Sequence, residues 1–155
     1  MYKVIVAFVV ALAMVPAAAS KAAASDKTDV MVTVNRFNDS LNKGDTKTAL
    51  AACAAPSSII DEFPPHHWLG ATACADWAND FDAYNKKYGI AQPFAKLGKP
   101  RHVDITGDRA YVVVPATYTY KQKGKRVTES GSTLTVALQK AAEGWRITGW
   151  AWTKR

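Results

Sequence analysis

Apolar positions in the first half of the chain recur every three or four residues, which is the period of an α-helix. One such run predicts a first helix over residues 29–43, ended by Gly44. Asp45 is placed to cap a short second helix over residues 46–54. A broad, mainly aromatic stripe predicts a third helix over residues 71–88. The members of this stripe are Cys74, Trp77, Phe81, Tyr84 and Tyr88.

Strand-like patterns occupy the rest of the chain. An apolar run predicts a strand over residues 57–63, which Pro64 and Pro65 end. Beyond Pro93 the chain predicts four strands joined by tight turns, pairing antiparallel as a meander: residues 103–106, 110–120, 127–139 and 145–153. Helices first and a curved antiparallel sheet last is the α+β arrangement, in which helices cover one sheet face and leave a cavity.

The chain opens with the pattern of a secretory signal. A lysine near the start precedes an apolar run over residues 4–15, and small residues follow Pro16. Twelve apolar residues are too few to anchor the chain in a bilayer, which takes about twenty. We expect removal of residues 1–24 and a single exported domain over residues 25–155, periplasmic or secreted. Cleavage after Ala19 is the alternative.

The net charge of +7 falls to about +5 when Lys3 and Lys21 leave with the leader. Part of the remaining excess surrounds Gly124, where four basic residues cluster: Lys121, Lys123, Lys125 and Arg126. Charged residues at a hairpin tip are typical of a solvated surface, and an exported protein rarely meets nucleic acid. We therefore expect no nucleic-acid partner.

Cys53 and Cys74 are the only cysteines. In an oxidising compartment such a pair tends to close, so the sequence predicts a disulfide. The chain-entropy model gives a bridge of this span about 3 kcal/mol of stabilisation. The alternative is a pair of buried, reduced thiols that pack as small apolar groups.

The element order and several local motifs resemble the nuclear transport factor 2-like superfamily, the cone-shaped fold shared by SnoaL-like proteins and ketosteroid isomerase. The similarity covers about residues 29–153. The residues that carry it are Arg36-Phe37 before Gly44-Asp45, Ile59-Ile60-Asp61 before Gly70, residues 107–112, and Gly144-Trp145-Arg146-Ile147 with Trp150 and Trp152. This fold hosts enzymes, binding proteins and transport factors, so the resemblance implies a fold more than a chemistry.

Asp61 is the leading candidate for a functional residue, because an acid closing an apolar strand is costly unless it is paired or serves proton chemistry. The resemblance implies that Asp61 is a general base. Ketosteroid isomerase combines its base with a tyrosine and a protonated aspartic acid. Here Phe37 stands at the tyrosine position and residues 132–136 carry no carboxylate, so steroid isomerisation is not expected. Tyr118 or Thr135 remains as a substitute hydrogen-bond donor.

His66 and His67 are the candidate acid partners of Asp61. Adjacent residues of an extended chain point to opposite sides, so the two histidines do not predict a metal site. The sequence also lacks a phosphate-binding glycine loop and a Gly-x-Ser-x-Gly elbow. We expect no metal and no cofactor.

Aromatic and hydroxyl side chains are the candidate ligand contacts of the expected cavity. They are Phe37, Trp68, Trp77, Tyr118, Thr135, Trp150 and Trp152. Strict alternation places Trp150 and Trp152 on one strand face and Trp145 on the other, so one group is expected outside the cone. A homodimer would bury that face.

Together these patterns favour an exported protein that binds a small apolar or aromatic molecule. One alternative is an isomerase, dehydratase or cyclase that uses Asp61 as base. Another is a protein-interaction module, such as an inhibitor or immunity partner, that uses the exposed sheet.

Overall fold

The computed structural model describes residues 17–155, with side chains from Asp26 onward. The helices of this part are α1 (Ala17–Asn42), α2 (Thr46–Leu50) and α3 (Ala73–Tyr88). The strands are β1 (Cys53–Ile60), β2 (His67–Gly70), β3 (Ile90–Leu97), β4 (His102–Thr106), β5 (Arg109–Gln122), β6 (Lys125–Ala141) and β7 (Gly144–Thr153). No helix among residues 17–155 is both long and apolar enough to cross a bilayer.

The strands form one curved, mostly antiparallel sheet in the order β2-β1-β7-β6-β5-β3, with β4 also paired to β5. β4 to β7 pair consecutively and antiparallel, which confirms the predicted meander. β1 joins β7 in parallel. Helices α1 and α3 pack against the sheet, so the α+β arrangement is confirmed.

The predicted leader lies only partly within the described residues. Residues 1–16 are outside them, and residues 17–24 form the first turns of α1. Helix α1 therefore begins earlier than the predicted residue 29. Its end at Asn42 falls one residue before the predicted one.

Two local signals act as predicted. The carboxylate of Asp45 accepts a hydrogen bond from the backbone N–H of Thr48 at 3.1 Å and so caps α2. Gly89 ends α3 in the left-handed conformation at φ 64°, which glycine adopts without steric cost.

The region around β1 differs from the prediction. Helix α2 ends at Leu50, and the chain turns into a strand from Cys53 instead of continuing as helix to residue 54. Pro56 lies inside β1, which is tolerated because the pairing of β1 with β7 is irregular between Cys53 and Ser58. Two edge strands, the short β2 and the longer β3, were not predicted. In β3 the pairing shifts around Pro93, which disguises the strand pattern.

The predicted placement of Trp145 on the strand face opposite Trp150 is wrong. A bulge at Thr148 breaks the alternation of β7, because Ala137 pairs with Gly149 and Leu138 pairs with Ile147. The extra residue puts Trp145 on the same inner face as Trp150, and both are buried in the core. The tryptophans therefore supply no surplus outer face.

The predicted disulfide is confirmed, so the two cysteines are not reduced thiols. Cys53 and Cys74 are bridged at 2.10 Å across 21 residues. The bridge joins the start of β1 to the first turn of α3, three residues before Trp77. It therefore fixes the helix that carries part of the cavity wall, and it suits an oxidising compartment.

Candidate ligand-binding site

A cavity of about 330 Å³ lies between the sheet and helices α1 and α3. Aromatic rings dominate its wall. They include Phe37 from α1, Trp77 and Phe81 from α3, Tyr118 from β5, and Trp150 and Trp152 from β7. These rings thus come from four elements that are distant in sequence.

The rings of the wall hold one another in fixed orientations. Trp77 stacks on Phe81 with centroids 5.3 Å apart, and Trp150 meets the Trp77 ring edge-on at 4.8 Å. Phe37 packs at 6.1 Å from Trp150. Offset and edge-to-face pairs of this kind are favourable beyond their burial, so the wall is preorganised.

Asp61 follows the last residue of β1 and lines the cavity. One carboxylate oxygen accepts a hydrogen bond from the Trp77 Nε1–H at 2.9 Å, and the other accepts one from the backbone N–H of Glu62 at 2.7 Å. Burial raises the pKa of Asp61 from 3.8 to about 6, although the Trp77 bond favours the charged form. The carboxyl group therefore changes protonation state close to physiological pH.

Tyr118 lines the same cavity from β5. Burial raises the pKa of its phenol further above 10, and the negative charge of Asp61 adds to the effect. The hydroxyl therefore stays protonated and can donate a hydrogen bond. Its ring lies against Trp152 at 6.0 Å.

A rim cluster of Glu62, Tyr120, Glu129 and Lys154 lines one side of the cavity. The Lys154 ammonium lies 2.8 Å from Glu129 and 3.6 Å from Glu62. The Tyr120 hydroxyl donates a hydrogen bond to the same oxygen of Glu129 at 3.0 Å. Burial raises the pKa of Glu62 and Lys154 opposes the shift.

Three buried polar atoms of the lining have no hydrogen-bond partner among the described residues. They are Nε1 of Trp150, Oδ1 of Asn85 and Oε2 of Glu129. Buried polar atoms in native proteins are nearly always paired. Each of these atoms belongs to a residue that lines the cavity, so each is a candidate partner for a polar group of a bound molecule.

No protein-family model matches the sequence, and no curated protein matches it. Solved structures do match. A nuclear transport factor 2-like protein with a cystatin-like fold from Novosphingobium aromaticivorans superposes with a TM-score of 0.71 at 16% identity, covering 88% of this chain and 86% of its own. The chain has the nuclear transport factor 2-like fold.

Two further structures support this result. A nuclear transport factor 2-like superfamily protein from Salmonella enterica gives a TM-score of 0.71 at 18% identity, covering 85% of this chain and 92% of its own. A ketosteroid isomerase-like protein from Erwinia carotovora gives a TM-score of 0.65 at 14% identity, covering 83% of this chain and 95% of its own. At such identities the likeness establishes the fold, and the chemistry has to come from the cavity.

Five of the seven expected ligand contacts line the cavity of this nuclear transport factor 2-like fold: Phe37, Trp77, Tyr118, Trp150 and Trp152. Trp68 lies elsewhere, because its ring packs on Phe63 and its Nε1–H donates to Asp80 at 2.8 Å. Thr135 lies on the other sheet face, since its neighbours Leu134 and Val136 are the buried, inward residues of β6. Of the two substitute donors, Tyr118 alone reaches the cavity.

The histidines do not face the cavity, contrary to their expected role as acid partners. The His66 ring is exposed, and its Nδ1 lies 3.2 Å from the backbone carbonyl oxygen of Asp61 instead of the carboxylate. The His67 ring is also exposed and pairs with Ser58 Oγ at 3.2 Å. A turn at His66, with φ 72°, directs both rings outward.

The rim cluster was missed by sequence reasoning, although one signal for it exists. A two-residue turn at Lys123 and Gly124 puts Glu129 directly across the hairpin from Tyr118, as the structure confirms. A bulge at Gly131, between the pairs of Thr117 and Ala116, then keeps Glu129 on the inner face. No comparable signal in the sequence places Lys154 beside Glu129.

Proposed function

We propose that this protein binds a small, mainly apolar or aromatic molecule in the cavity, with Asp61 as the principal polar contact. The observation that carries the proposal is the cavity itself, about 330 Å³ of open volume walled by aromatic rings. This volume falls in the range of small-molecule pockets, about 300–1,000 Å³. A few convergent polar groups in an apolar wall are the usual means of orienting a ligand.

The wall suggests how the molecule would lie. An aromatic ring would pack against the cavity side of Trp77, Trp150 and Phe37, which already hold one another in place. A polar group of the ligand would then meet Asp61 or the Tyr118 hydroxyl. Because the cavity is open instead of filled with side chains, nothing here favours the protein-interaction alternative.

The proposal includes export to the periplasm or the exterior. The leader pattern of residues 1–24 and the disulfide between Cys53 and Cys74 both suit that compartment. It also includes a homodimer formed through the outer sheet face, where Tyr111 is 47% exposed. Sedimentation velocity of the mature protein tests the dimer, which a monomer mass would exclude.

Native mass spectrometry of the protein purified from its own host tests the binding proposal. We expect a bound molecule that dissociates on activation. Ala95 lines the cavity and bonds through its backbone to Asn42, so Ala95→Trp fills space without removing that bond. This folded, blocked variant should carry no such molecule. Equal occupancy of both proteins, or none in the unmodified protein at any concentration of added aromatic ligand, would contradict the proposal.

A second candidate function is proton transfer on a bound carbonyl compound. It is favoured by the juxtaposition of Asp61, with its pKa near 6, and the neutral Tyr118 hydroxyl in one cavity. Asp61 would remove a proton beside the carbonyl while Tyr118 donates a hydrogen bond to its oxygen. The test is deuterium exchange at the α-carbons of aryl ketones. Exchange that survives in Asp61→Asn excludes this role.

A further inference from the structure

We infer that the molecule bound in the cavity is a cation, an arylalkyl ammonium. This inference rests on the proposed binding function and assigns its ligand class. Three carboxylates line the cavity, those of Asp61, Glu62 and Glu129, against the single ammonium of Lys154. Within a chain of net charge +7, the described cavity wall is thus a negatively charged region.

The rim cluster already shows that this wall holds an ammonium. Lys154 Nζ lies 2.8 Å from one oxygen of Glu129, which is the distance of a charge-assisted hydrogen bond. The second oxygen of Glu129 is buried and accepts no hydrogen bond from any described residue. The side chain is only 15% exposed, so water has little access to it. A second ammonium, brought by a ligand, would use that free acceptor once the carboxylate rotates toward the cavity on binding.

Asn85 supplies an independent acceptor. The residue is 9% exposed and lines the cavity, and its Oδ1 has no donor among the described residues. An ammonium group carries three N–H donors and no acceptor, so it suits a set of carboxylate and amide oxygens. A neutral hydrocarbon would leave these oxygens unpaired.

The aromatic wall completes the fit. Faces of Trp, Tyr and Phe rings attract cations, most strongly where water is excluded. The ring of the proposed ligand would pack on the same wall through apolar contact. The Trp150 N–H is a donor and is not satisfied by an ammonium, so it is available to an acceptor atom elsewhere on the ligand.

Three probes that share a phenyl ring separate charge from apolar fit: 2-phenylethylammonium, 2-phenylethanol and 3-phenylpropanoate. Quenching of the cavity tryptophans reports their binding at about pH 7.5, where the first is a cation and the last an anion. We expect the ammonium to bind at least about tenfold more tightly than the alcohol, and the propanoate most weakly. Glu129→Gln should reduce the preference for the ammonium. Glu143→Gln, the same change at an exposed turn, should preserve it.

Each outcome decides the inference. If the alcohol equals or exceeds the ammonium, or none of the probes binds, the cation assignment is overturned. Native mass measurement of the purified protein then decides separately whether the binding function survives. If Glu129→Gln keeps the full preference, the assigned site is wrong. Should Glu129→Gln fail to fold, Glu62→Gln provides a more exposed test of the same charge.

Discussion

Replacing Asp61 by asparagine should stabilise the protein at neutral and alkaline pH. The folded state raises the pKa of this carboxyl group from 3.8 to about 6 because burial disfavours its charged form. That difference corresponds to a penalty of about 3 kcal/mol on the folded state once the group is ionised. Asparagine is neutral at every pH and avoids this penalty.

The hydrogen bonds of the carboxylate are already part of that difference. The carboxylate serves two donors, the Nε1–H of Trp77 and the backbone N–H of Glu62, and both lower the pKa of Asp61 against the larger effect of burial. An asparagine side chain keeps one carbonyl oxygen as acceptor, as the protonated acid does, so it resembles the neutral form of Asp61. The net gain for Asp61→Asn is therefore about 3 kcal/mol near pH 8.

The sign of the pH dependence follows from proton binding. Between about pH 4 and pH 6 the folded protein holds a proton on Asp61 that the unfolded chain has lost, so the free energy of unfolding falls as pH rises. Below about pH 4 both states are protonated and the penalty is absent. Relative to the unmodified protein, the asparagine variant should be about equally stable near pH 4 and more stable near pH 8.

Urea unfolding at a series of pH values, followed by tryptophan fluorescence, measures this difference. Effects of the other titrating groups largely cancel when the two proteins are subtracted. Asp104→Asn, the same change at an exposed position of β4, should alter the free energy of unfolding little. A difference between the Asp61 variant and the unmodified protein that stays constant with pH, or a variant that is less stable near pH 8, would refute the reasoning.

Three further predictions concern the frame of the site. Replacing both bridged cysteines by alanine should lower the free energy of unfolding by about 3 kcal/mol in urea titrations, because a 21-residue loop is no longer closed. An unchanged midpoint of urea unfolding would contradict this prediction. Trp77→Phe should raise the pKa of Asp61 further, because the carboxylate loses a hydrogen bond, whereas Trp68→Phe should not, because the Trp68 N–H bonds to Asp80. NMR titrations of the Asp61 carboxyl carbon compare the two variants, and an equal pKa in both would reject the hydrogen bond from Trp77 as a cause of the shift. Gly149→Ala should destabilise the fold by about 1–3 kcal/mol, because a Cβ there would lie 2.8 Å from the backbone oxygen of Ser58. A melting temperature equal to that of the unmodified protein would disprove this prediction.

Much of the fold follows from local signals in the sequence. Helical periodicity, the Asp45 cap and Gly89 mark the helices, and the turn at Gly124 sets the register of the longest hairpin. These features depend on residues close together in the chain. Their strength explains why the α+β meander could be predicted.

The bulges and edge strands could not be predicted in the same way. The extra residues at Gly131 and Thr148 each reverse the alternation of a strand, so inner and outer positions beyond them are exchanged. Strict parity therefore put Trp145 on the strand face opposite Trp150. A bulge is favoured by tertiary packing, which the alternation of apolar residues does not record.

In the candidate site, too, the features set by local sequence could be predicted and the contacts between distant segments could not. The position of Asp61 at the end of a strand was apparent from the apolar run before it. The outward rings of His66 and His67 depend on a turn conformation, and the approach of Lys154 to Glu129 depends on the far end of the sheet. Such contacts between distant segments are set by the assembled fold and not by any short motif.

The most direct test is a pH titration of the Asp61 carboxyl carbon by NMR, without and with 2-phenylethylammonium. The structure predicts a pKa near 6 in the free protein, lowered when the cation binds beside the carboxylate. Asp61→Asn identifies the resonance by removing it. A carboxyl group that titrates near its ordinary value of 3.8, and does not respond to the cation, would contradict the account.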